Sequence, residues 1–136
     1  MKIKKLISFI NIFLFCILLS TANSFAHEGA KGIIKERMDK FKESKQLMKK
    51  INVGLQNNNF KVIEESAQML LLWSKEMHKF FPKGSDVSPS EASSDIWLNP
   101  EGFSKAIKNF ELASLELINQ SNTNDRDKTI NAFRNL

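Results

Sequence analysis

A chain of 136 residues and 15.6 kDa has room for one domain and little more. Hydrophobic residues at 42% and charged residues at 26% make wholesale disorder a poor reading, and a single cysteine excludes an internal disulfide framework or a Cys-rich zinc site. A net charge of +5 points at first to nucleic acid or anionic lipid.

The first 26 residues have the tripartite pattern of a secretory signal peptide. Lys2, Lys4 and Lys5 make a positive start, Leu6 to Leu19 is an apolar run broken only by Ser8 and Asn11, and Ser24-Phe25-Ala26 sets small residues at a cleavage position. As a helix the run spans about 21 Å, short of a hydrocarbon core of roughly 30 Å, which disfavours an uncleaved anchor. Phe15 before Cys16 disfavours a lipoprotein signal. The domains expected are therefore a signal at 1–26 and a helical domain at 27–136.

Cleavage takes three lysines and leaves all 15 acids, so the remaining charge is +2. With basic and acidic residues read as alternating along the chain, no nucleic acid and, after cleavage, no membrane is expected as a partner. Export points to the periplasm.

Four helical segments follow, with no strand-like alternation. From about Gly32 to Gly54, the residues Arg37, Phe41, Ser44, Met48, Ile51 and Leu55 recur at spacings of three and four, with Ile34 and Met38 widening the face. Asn57-Asn58-Asn59 predicts a turn. Phe60, Ile63, Ala67, Leu70, Ser74, Met77 and Phe81 then give the clearest helical period, flanked by Trp73 and Phe80 and stopped by Pro82. Lys83 to Asp95 reads as a surface crossover loop, with only Val87 and Ala92 apolar.

Asn99-Pro100-Glu101 predicts a capped helix start, and Phe103, Ala106, Phe110, Ala113 and Leu117 continue it. A fourth segment of about 12 residues begins near Asp125, with Thr129, Ile130, Phe133 and Leu136 in helical register. The fold expected is all-α, an antiparallel four-helix bundle with an incomplete fourth helix that leaves apolar stripes uncovered at one end.

In this arrangement the chain resembles the cytochrome c-prime family, exported four-helix-bundle haem proteins. The resemblance rests on Ile34 to Lys42 (IKERMDKFK), on Phe81-Pro82-Lys83-Gly84-Ser85, on Ile96-Trp97 followed by Phe103, and on Asp125 with Ala132-Phe133. It implies haem c, attached in the family through a CxxCH motif whose histidine binds the iron. That motif is absent from these residues, which is expected to mark a truncated or frameshifted member, with a member that lost its haem as the second reading.

By the same resemblance Phe41 would wall the open side of the iron, as in five-coordinate members, and Arg37 would pair with a haem propionate. Without haem, Phe41 would be plain core packing and Arg37 an edge residue paired with an acid. The resemblance also implies a homodimer through the first two helices and a periplasmic redox partner. The alternative function is a haem-free bundle acting as a binding or dimerisation module.

The remaining candidates are weaker. His78 is expected at or near the surface rather than as an iron ligand. His27, as a new amino terminus, could chelate copper with His78 and the methionines, but methionines at helical spacing are more often core filler. Trp73 and Trp97 suit bundle packing as well as a cofactor cavity. No nucleophile, paired carboxylates, phosphate loop or metal cluster is visible, so no enzyme is expected.

Overall fold

The computed structural model describes residues 29–136, and the signal peptide at 1–26 and His27 lie outside the described residues. Five α-helices and no strand are found among them: α1 (Gly32–Gln56), α2 (Phe60–Glu76), α3 (Asp95–Leu98), α4 (Pro100–Ser121) and α5 (Arg126–Arg134). A 3-10 turn, Met77–Phe80, continues α2. Residues 31–136 form one compact unit.

The turn between α1 and α2 is built from its asparagines. Asn58 takes a positive φ of 52°, a conformation asparagine tolerates, and the Asn59 side chain accepts the Val62 N–H at 3.2 Å to cap α2. Gly54 lets the two helices close on each other. A Cβ there would stand 2.8 Å from Ile63 Cγ1 and 3.2 Å from the Asn59 carbonyl oxygen.

α2 is the central helix, packed against α1 on one side and α4 on the other. Its Ile63, Ala67 and Leu70 meet Leu47, Ile51 and Leu55 of α1, Leu117 of α4 and Ala132 of α5 in one core. A second core lies at the opposite end. There Trp73, Met77, Phe81 and Ile107 gather Phe80, Ala92, Ile96, Trp97 and Phe103 around them, and Phe110 packs against both cores.

Three details differ from the sequence expectation. The buried residues of α1 are Ile34, Arg37, Leu47, Ile51, Gly54 and Leu55, so the stripe includes Leu47 and leaves Phe41 outside. The regular part of α2 ends at Glu76, because the chain tightens into the 3-10 turn. Phe80 then stands 5.0 Å from Trp73 and Phe81 stands 4.9 Å from Phe103, between ring centroids. The crossover segment is only partly a surface loop, since Ser85 is buried, Ala92 packs on the second core, and the segment ends in the short helix α3.

The cap expected at Asn99 forms, and Asp125 caps α5. Asn99 Oδ1 accepts the Gly102 N–H at 2.9 Å, and Asp125 Oδ1 accepts the N–H groups of Asp127 and Lys128 at 3.1 Å each. α5 is anchored beside the end of α1, where Arg126 Nε donates to the Leu55 carbonyl at 3.3 Å. Nine residues rise about 14 Å, against about 38 Å for the 25 of α1. α5 therefore covers the first core and stops short of the second.

Candidate functional site

The side chains singled out in the sequence fall beside the second core. Phe41, 47% exposed, sets its ring edge-on to Trp73 at 5.7 Å and to Phe81 at 6.3 Å between centroids. Trp73 in turn is edge-on to Phe80, and Phe81 is 6.2 Å from Trp97. The result is an aromatic wall, anchored by buried Trp73 and Phe81, with Phe41 as its open margin.

Arg37 lies one turn before Phe41 but is only 3% exposed. Its Nη1 donates to the Phe80 carbonyl and to Ser85 Oγ, both at 3.0 Å. Its Nη2 donates to the Ser85 carbonyl and to Ser90 Oγ, both at 2.7 Å. The guanidinium carbon also lies 4.6 Å from the centre of the Phe81 ring. Burial pushes the Arg37 pKa below its usual value, yet an arginine stays charged at neutral pH. The edge-residue expectation is thus corrected: Arg37 is buried, and neutral oxygens of residues 80–90 receive it instead of an acid.

Two of the four acceptors, both on Ser85, owe their place to the FPKGS stretch. Ser85 N–H closes a four-residue turn on the Pro82 carbonyl at 3.1 Å, with Gly84 at φ 84°, where an ordinary side chain would be strained. Trp97 Nε1 donates to the Phe81 and Pro82 carbonyls at 3.2 and 3.1 Å, pinning the same stretch from the other side. Sequence reasoning did not find Ser85 and Ser90 as partners. The final serine of FPKGS was the one available signal, and nothing marked Ser90.

His78 is exposed, with Nε2 3.3 Å from Ser104 Oγ and its ring edge-on to Phe103. It lines a cavity of about 320 Å³ with Phe81, Lys83, Trp97 and Phe103, and Phe41 is not part of that lining. A smaller cavity of about 170 Å³ lies between α1 and α2, against Leu47, Met69, Leu72 and Trp73. Among the described residues no group of three histidine, cysteine or carboxylate side chains could hold a metal ion.

The described residues thus form an all-α bundle with an aromatic wall at the end that α5 does not cover. A family model described as Cytochrome C' matches residues 32–136, and the chain belongs to that family. The searches of curated proteins and of solved structures found no match.

Membership implies haem binding. The described residues fit that group only in part. They supply an apolar wall, but no thiol for covalent attachment, because the only cysteine is Cys16. Their one imidazole is engaged with Ser104 on the surface. Arg37 has four of its five N–H donors committed to residues 80–90, leaving only Nε–H for a carboxylate. No step through the haem follows from these residues.

Proposed function

We propose that this is a periplasmic cytochrome c-prime-like haem protein serving electron transfer or small-gas binding, in which residues 32–136 supply the apolar side of the pocket. The observation that supports the reading is Phe41, exposed beyond the reach of α5 and braced by Trp73 and Phe81. Phenylalanine has no donor atom for iron. On that side it offers an apolar wall that suits a small apolar ligand and disfavours a sixth protein ligand.

The test is an absorbance spectrum of the 136-residue chain exported alongside a haem-attachment system, paired with inspection of the reading frames beyond the Leu136 codon for CxxCH. A chain without a Soret band, with CxxCH found downstream, fits the proposal. Absence of both the band and the motif sinks it. The second reading would then stand, a haem-free bundle that associates through α1 and α2. Its support is the exposure of Met69 (45%) and Leu72 (59%) on α2, along the groove that Ser44 and Leu47 of α1 line. Sedimentation of the protein, with Leu72→Glu as the disrupting variant, measures that association.

A further inference from the structure

The +2 balance of residues 27–136 conceals an uneven distribution. Residues 31–50, essentially the first five turns of α1, hold eight cations and three acids, whereas residues 51–136 hold nine cations and eleven acids. The expectation of alternating charge is therefore corrected: one helix carries the excess, and the rest of the domain is slightly acidic.

Helical geometry concentrates this excess further. At about 100° per residue, Lys35, Lys42, Lys45 and Lys49 fall within an arc of about 80° and extend about 21 Å along α1. Lys31 stands at the start of the helix on the same side. Glu36, Asp39 and Glu43 lie to one flank of that arc. Lys35 pairs with Asp39, while Lys31, Lys42, Lys45 and Lys49 have no ion-pair partner among the described residues. All five lysines are exposed; between Lys35 and Lys49 the arc's one apolar residue, Met38, is half-buried, and Val53 follows a turn beyond Lys49.

From this stripe we propose that α1 is an electrostatic docking surface for a membrane rich in anionic lipid. A row of point charges along one helix can meet a plane of fluid headgroups all at once. Lysine demands no fixed partner geometry, unlike the bidentate fork of arginine. With no large exposed apolar side chain in the arc between Lys35 and Lys49, the protein adsorbs without inserting. Binding is then governed by charge and screened within a Debye length. The acidic remainder of the domain turns α1 toward the surface. This replaces the expectation of no membrane contact after cleavage, and it does not depend on haem.

The experiment is co-sedimentation of the folded protein with phosphatidylglycerol vesicles, phosphatidylcholine vesicles and poly-glutamate. The expected result is binding to phosphatidylglycerol alone among the lipids, falling at least about tenfold between low salt and about 0.2 M salt. The combined variant Lys42→Glu, Lys45→Glu, Lys49→Glu should lose it by about tenfold or more while its helical circular dichroism stays unchanged. Binding that survives both salt and the variant would overturn the proposal, because an apolar segment would then be responsible. Salt-sensitive binding to poly-glutamate without binding to phosphatidylglycerol would also overturn it, in favour of an acidic protein.

Discussion

Replacing Arg37 with methionine should loosen residues 80–90 and cost the fold about 2–4 kcal/mol. The guanidinium supplies four hydrogen bonds of 2.7–3.0 Å from a charged donor. Hydrogen bonds to charged groups contribute about 1.5–3 kcal/mol each. Two effects reduce their sum. A buried cation without an acid partner has a desolvation cost that methionine removes, and the two serine hydroxyls can turn to water once released. The Phe80 and Ser85 carbonyls have less freedom, and Phe81 loses the cation over its ring.

In a domain of this size each kcal/mol lowers Tm by about 4–8 °C, so a fall of at least about 8 °C is expected. Urea unfolding followed by tryptophan fluorescence is the assay, since Trp73 and Trp97 both sit in the affected core. Lysine should rescue little, because one ammonium group cannot span acceptors on three residues. A loss below about 0.5 kcal/mol with unshifted emission would show that the clasp carries no load.

Three further outcomes follow from the same packing. Gly54→Ala should destabilise by about 1–3 kcal/mol in urea titrations, because its Cβ would meet Ile63 Cγ1 at 2.8 Å and push α1 from α2. Phe81→Ala should cost about 3–5 kcal/mol, and Phe41→Ala, half-exposed at the margin of the wall, clearly less; equal losses in thermal unfolding would contradict the placement of both rings. Asp125 is held below its ordinary pKa by the Lys128 N–H foremost, then by the Lys128 ammonium and the Asp127 N–H. Its contribution is complete above about pH 4, the unfolded value, and disappears as pH falls through the lower folded value. Wild type should therefore lose more stability on acidification from pH 5 than Asp125→Asn.

The fold was legible wherever local chemistry and periodicity agree. Asn59, Asn99 and Asp125 cap helices as their types and positions suggest, and Ile63, Ala67, Leu70 and Leu117 are buried as their spacing requires. Periodicity misjudged Phe41 because it reports which residues share a face, not whether another element covers it. α5 covers the Ile51 and Leu55 level of that face, while Phe41 lies about 15 Å before Ile51 along α1. The shortened α2 was equally hidden, since a 3-10 turn in place of an α-turn depends on how Phe80 and Phe81 pack on Trp73 and Phe103.

The role of Arg37 was the least legible, because it depends on acceptors 43 to 53 residues away. Burial on an apolar face announces a partner but does not name it. A haem carboxylate, an acid and a turn's carbonyls all satisfy a guanidinium, and only tertiary structure distinguishes them. The clasp and the propionate role draw on the same donors. A carboxylate approaching Arg37 could take Nε–H alone, or displace Ser85 and Ser90 and free the stretch they hold. The two cases separate by experiment: Ser85→Ala and Ser90→Ala together should lower stability in the haem-free chain, and that loss should vanish in any form where a carboxylate has already replaced the hydroxyls.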